Sequence, residues 1–83
     1  MNWHFIGSCL DGETFRIGGL DVWQHPWTAQ PQTARVIDPH YGVAKQFNVY
    51  RLGPPEAPVL FAAGEFSNGV WGFYAPAAAD AAP

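Results

Sequence analysis

Apolar and polar positions alternate with a period of two along most of the chain. In NWHFIGS (2–8), Trp3 and Phe5 alternate with His4 and Ile6, and in ETFRI (13–17), Phe15 and Ile17 alternate with Thr14 and Arg16. LDVWQH (20–25) follows Gly18-Gly19, a pair suited to a bulge or a sharp corner. TARVI (33–37) and VAKQFNVYRL (43–52) flank DPHYG, and VWGFYA (70–75) closes the series. VLFAAGEF (59–66) is continuously apolar over its first half, which predicts the most buried strand, covered on both faces. Nine Gly and eight Pro interrupt the chain throughout. No window of about eleven residues keeps the i, i+3, i+4, i+7 apolar spacing of a helix without a breaker.

The punctuation between these runs is turn chemistry. Asp11-Gly12 predicts a hairpin joining the first two runs. Asp38, Pro39 and Gly42 suit a type I turn closed by a glycine bulge. PWTAQPQ (26–32) reads as a loop, because Pro26 and Pro31 cannot donate to a ladder, and a single helical turn there is all the helix expected. GPPEAP (53–58) reads as a stiff connection. The expectation is an all-β chain: a small antiparallel roll or SH3-like barrel of about six to seven short strands, since closure removes exposed edges. Residues 1–76 form the single domain, and 77–83 a disordered Ala/Pro tail.

Asn68-Gly69 is the strongest hairpin signal. A type I′ turn there sets Ser67 opposite Val70, Phe66 opposite Trp71, Glu65 opposite Gly72, Gly64 opposite Phe73 and Ala63 opposite Tyr74. One face would be core, with Phe66, Trp71 and Phe73, the last lying over Gly64, and with Leu60 and Ala62 further along. The other would carry Glu65 beside the gap at Gly72, with Tyr74 next along, making a polar and aromatic shelf for a partner.

Composition enlarges the role of the rings. A chain of 83 residues carries six Phe, four Trp and three Tyr. Each ring can bury about 150–250 Å², while a domain this size buries roughly 60% of its unfolded surface. Some rings are therefore expected to stay partly exposed, either as a partner or self-association surface or as caps on the open ends of a barrel. VWQHPW (22–27) adds a second cluster, because Trp23, His25 and Trp27 project to one side of an extended backbone. Trp23 is expected in the core, and Trp27, beside Pro26, as the exposed ring. The candidate partner-binding residues are thus Trp23, His25, Trp27, Glu65 and Tyr74.

Charge and chemistry narrow the classes. Four basic residues, scattered at Arg16, Arg35, Lys45 and Arg51, against seven acidic ones give a net charge of −3. That argues against nucleic acid as the ligand. Cys9 stands alone, so neither an internal disulfide nor a four-thiolate zinc site can form. His4, His25 and His40 lack the spacing that puts two ligands on one face, and no metal or cofactor is expected. No nucleophile elbow, Cys-His signature or acidic dyad is present, and no catalytic residue is assigned. Neither a signal peptide nor an apolar run of ~20 residues is visible, and a cytoplasmic protein of bacterial type is expected. The leading expectation is a non-enzymatic binding module acting by protein–protein contact, through self-association or with a larger partner, in an inhibitor-like or immunity-like role. The alternatives are a small-ligand or carbohydrate-binding module using loop aromatics, and a small metal-dependent or thiol hydrolase.

Overall fold

A computed structural model describes residues 2–54 and 59–77. These residues form seven strands and no helix: β1 (Trp3–Leu10), β2 (Arg16–Ile17), β3 (Leu20–Asp21), β4 (Trp27–Ile37), β5 (Ala44–Leu52), β6 (Val59–Ser67) and β7 (Val70–Pro76). Five of them make one antiparallel sheet in the order β1-β7-β6-β5-β4, and β2-β3 is a separate hairpin. The two edge strands β1 and β4 approach each other without a hydrogen-bonded ladder between them. The sheet therefore curls into an antiparallel roll that stops short of closing.

The central strand β6 explains why both faces are apolar. Phe61, Ala62 and Ala63 are consecutive and all buried, so their side chains enter opposite faces. One face buries Cys9, Ile17, Val22, Leu52, Phe61, Ala63 and Phe73 under the segment that carries β2 and β3. There the Phe15 ring stacks on Phe73 at 4.6 Å. The other face buries Ala34, Val36, Phe47, Val49, Ala62 and Tyr74 inside the curl.

Several expected pairings differ. The strand paired with β1 is β7, from the far end of the chain, and not residues 13–17. Asp11-Gly12 does turn the chain, but Asp11 donates to Gly69 O at 2.9 Å and the path leaves the sheet. Gly18 and Gly19, with φ of 58° and 81°, are the central residues of the tight β2-β3 turn and neither a bulge nor a corner. Residues 27–32 are strand, not loop. β4 is an edge strand, and the irregularity between Ala29 and Thr33 accommodates Pro31, which lacks a donor.

The β6-β7 hairpin turns at the expected place in a different register. Gly69 has a φ of 77°, whereas Asn68 does not enter positive φ, and a type I′ turn needs both. Ser67 faces Val70, a bulge then absorbs Phe66, and Glu65 faces Trp71, Gly64 faces Gly72, Ala63 faces Phe73 and Ala62 faces Tyr74. The bulge sends the Phe66 ring over Gly72, where it fills the space a Cβ would occupy. Phe47, rather than Phe73, lies over Gly64. Ala77, the first residue of the expected tail, donates to Asn2 O at 3.0 Å. Residues 78–83 of the expected tail, and 55–58 of the expected stiff connection, lie outside the described residues.

Candidate functional site

The residues singled out in the sequence do not form one surface. Residues 22–25 bend rather than extend, with the Trp23 amide donating to Asp21 Oδ1 at 3.1 Å and His25 Nδ1 lying 3.1 Å from Asp21 O. Trp27 is not an exposed loop ring. It opens β4, is half-buried, and packs against Trp23, Tyr50, Phe61, Trp71 and Phe73, while its indole N–H donates to Val22 O. Trp23 and Trp27 thus clamp the β2-β3 segment onto the sheet.

The shelf expected around Glu65 is also corrected. Glu65 and Tyr74 sit on opposite faces, Tyr74 is 1% exposed, and Phe66 fills the gap at Gly72. Glu65 Oε2 accepts the Gly69 amide at 2.8 Å, so the carboxylate caps its own hairpin turn. What Glu65 does line is a hollow of about 250 Å³ with Gln46, Asn48, Tyr50 and Trp71 among its walls.

A larger feature escaped the sequence reading. Where β1 and β4 fail to pair, a cleft of about 580 Å³ opens, lined by Asn2, Trp3, Phe5, Arg35, Ile37 and Tyr74. Its floor is fixed by the Tyr74 hydroxyl, which donates to Ile37 O at 2.6 Å, and by the edge-on Phe5–Tyr74 pair at 5.5 Å. Burial, and secondarily the nearby Asp38 carboxylate, push the Tyr74 phenol above its ordinary pKa, so it keeps its proton and its donor role.

Ile37 connects this cleft to the end of the β4-β5 hairpin. The turn is held by Asp38, a buried carboxylate that accepts the His40 amide at 2.7 Å and the Tyr41 amide at 3.3 Å, while Gly42 donates to Asp38 O at 2.8 Å. That frame leaves large apolar side chains outside: Ile37 is 54% exposed, Tyr41 83% and Val43 54%, while Phe5 of β1, in the cleft, is 36% exposed. The signal was present in the sequence. IDPHYGV places Ile, Tyr and Val around a tight turn at the end of a hairpin.

His4 and His40 are exposed, His25 is half-buried in its bend, and among the described residues no group of three or more His, Cys, Asp or Glu comes together. Cys9 is buried, and burial raises its thiol pKa. The Trp23 indole N–H, near enough to offset this in part, makes no hydrogen bond of ordinary geometry. Glu13, Asp11 and Asp21 push the thiol further up. Comparison of the chain with protein-family models, with curated proteins and with solved structures finds no significant match.

Proposed function

We propose that this protein is a non-enzymatic binding module that works by protein–protein contact. The contact surface is the hairpin end formed by Ile37, Tyr41 and Val43, together with the cleft beside it. The observation that carries the reading is the exposure of these three side chains next to an aromatic-lined cleft, in a chain that buries or half-buries every other large ring except Phe5. Apolar groups so grouped gain roughly 25 cal/mol per Å² when a partner covers them. An inhibitor-like or immunity-like role against a larger partner fits a chain this small. The test is affinity capture from native lysate with the parent protein and with Ile37→Asp/Tyr41→Asp. Both positions are exposed, so the variant is expected to fold. A partner held stoichiometrically by the parent and lost by the variant supports the reading, and undiminished capture contradicts it.

A second reading is favoured by the hollow beside Glu65. Gln46, Asn48 and Glu65 present polar side chains next to Tyr50 and Trp71, the mixture of flat rings and hydrogen-bonding groups that suits a small polar ligand such as a sugar. Saccharide titration followed by tryptophan fluorescence tests it. A saturable change abolished by Asn48→Ala supports this reading, and a flat response removes it.

A further inference from the structure

We infer that the cleft between β1 and β4 receives a segment of a partner protein in which apolar side chains surround a carboxylate, and that Arg35 receives that carboxylate. The inference rests on the protein-contact reading above and specifies the chemistry of the partner.

The chain is net negative, and only four basic residues offset seven acidic ones. Arg35 nevertheless lines the cleft, and among the described residues no acidic side chain lines it. On the hairpin surface, Arg35 and Lys45 share the walls of an adjoining hollow of about 230 Å³ with Ala44 and Gln46. Half of the basic residues therefore gather at the place where the apolar surface is open. Among the described residues no carboxylate pairs with Arg35. The nearest acidic residue along the chain, Asp38, is buried and already accepts the His40 and Tyr41 amides.

The surroundings of Arg35 decide what kind of anion suits it. Trp3, Phe5 and Ile37 border the cleft, so a bound ligand displaces water from around the guanidinium and strengthens its attraction for a carboxylate. A planar guanidinium can also hold a carboxylate through two parallel hydrogen bonds. A cation bordered by rings and an isoleucine selects an anion that brings apolar bulk with it. A volume of about 580 Å³ accommodates two or three side chains of an extended segment. The exposed Ile37, Tyr41 and Val43 extend the apolar contact beyond the cleft. A second copy of this chain suits the site less well, because two molecules of like net charge repel and a symmetric contact through Arg35 would oppose like charges.

Selection from a random twelve-residue peptide display library against the immobilised protein tests the inference. The expected result is enrichment of peptides with Asp or Glu flanked by apolar residues. The best of these, as a free labelled peptide, should bind at least tenfold more weakly to Arg35→Glu. Changing its acidic residue to Lys should restore binding to that variant. Enriched peptides that lack an acidic residue, yet are lost with Ile37→Asp, would overturn the inference and leave the protein-contact reading standing. No enrichment at all would count against both. Dimers that form at micromolar concentration and vanish with Arg35→Glu would overturn it in favour of a second copy, and dodecanoate binding more tightly than any selected peptide would overturn it in favour of a small amphiphile.

Discussion

The hydroxyl of Tyr74 donates to the carbonyl oxygen of Ile37 at 2.6 Å, across 37 residues of chain. It joins β7, inside the sheet, to the last residue of edge strand β4, over the gap that no ladder closes. One side chain thereby holds the curl and forms the floor of the cleft, so a measure of its strength is also a measure of how firmly the candidate site is built.

Tyr74→Phe keeps the ring and removes the donor. A lost hydrogen bond of this kind costs about 1–2 kcal/mol, and in a domain this small each kcal/mol lowers Tm by roughly 4–8 °C. Denaturant unfolding of the two proteins measures it. A variant as stable as the parent would show that the bond does not hold the curl.

The same phenol makes stability depend on pH at the alkaline end. Its folded-state pKa lies above the unfolded value of about 10. The folded state therefore binds the proton more tightly, and the resulting stability is complete below pH ~10 and lost as the pH rises through the folded pKa. The parent should lose stability above pH ~10 more steeply than Tyr74→Phe, which lacks the titrating group. Parallel alkaline limbs in the two unfolding-versus-pH curves would contradict this.

Gly64 tests the packing inside the curl. A Cβ there would stand 2.5 Å from Cδ1 of Phe47, a buried ring. Gly64→Ala should cost about 1–3 kcal/mol through overpacking. The double variant Gly64→Ala/Phe47→Leu should cost less than the two single changes added together, because the smaller side chain makes room for the methyl group. A double-mutant cycle with no coupling would mean that the two residues do not meet.

Those elements that depended on local chemistry were legible in the sequence. The apolar run at Phe61-Ala62-Ala63 marked the doubly covered strand, and Asp38 and Gly42 hold the expected turn. Register was legible to within one residue, because the dipeptide Asn68-Gly69 does not reveal that Asn68 keeps a negative φ and that Phe66 must bulge. Pairings between distant parts of the chain were not legible. β1 joins β7 rather than its neighbour, and Pro31 sits in a strand because that strand is an edge. The candidate site shared this fate. Trp3 and Phe5 reach Arg35 and Ile37 only when the sheet curls, so no short motif carries the cleft. Trp27 misled for the opposite reason, its proline neighbour suggesting exposure while five rings surround it.

Trp27→Ala should accordingly cost ~3–5 kcal/mol, the range for a large aromatic lost from a packed cluster. Tyr41→Ala, at a side chain 83% exposed, should stay within about 0.5 kcal/mol of the parent. Thermal unfolding of both variants separates these roles. Equal losses would mean that Tyr41 is part of the structural frame.

Amide hydrogen exchange of the protein, free and bound to a captured partner, tests the assignment of the binding surface most directly. Added protection is expected at residues 3–5 and 35–43, the cleft and the hairpin end, with little change at 46–50 and 64–71 around the Glu65 hollow. Protection confined to that hollow, or to residues 22–27, with 35–43 unaltered, would contradict it.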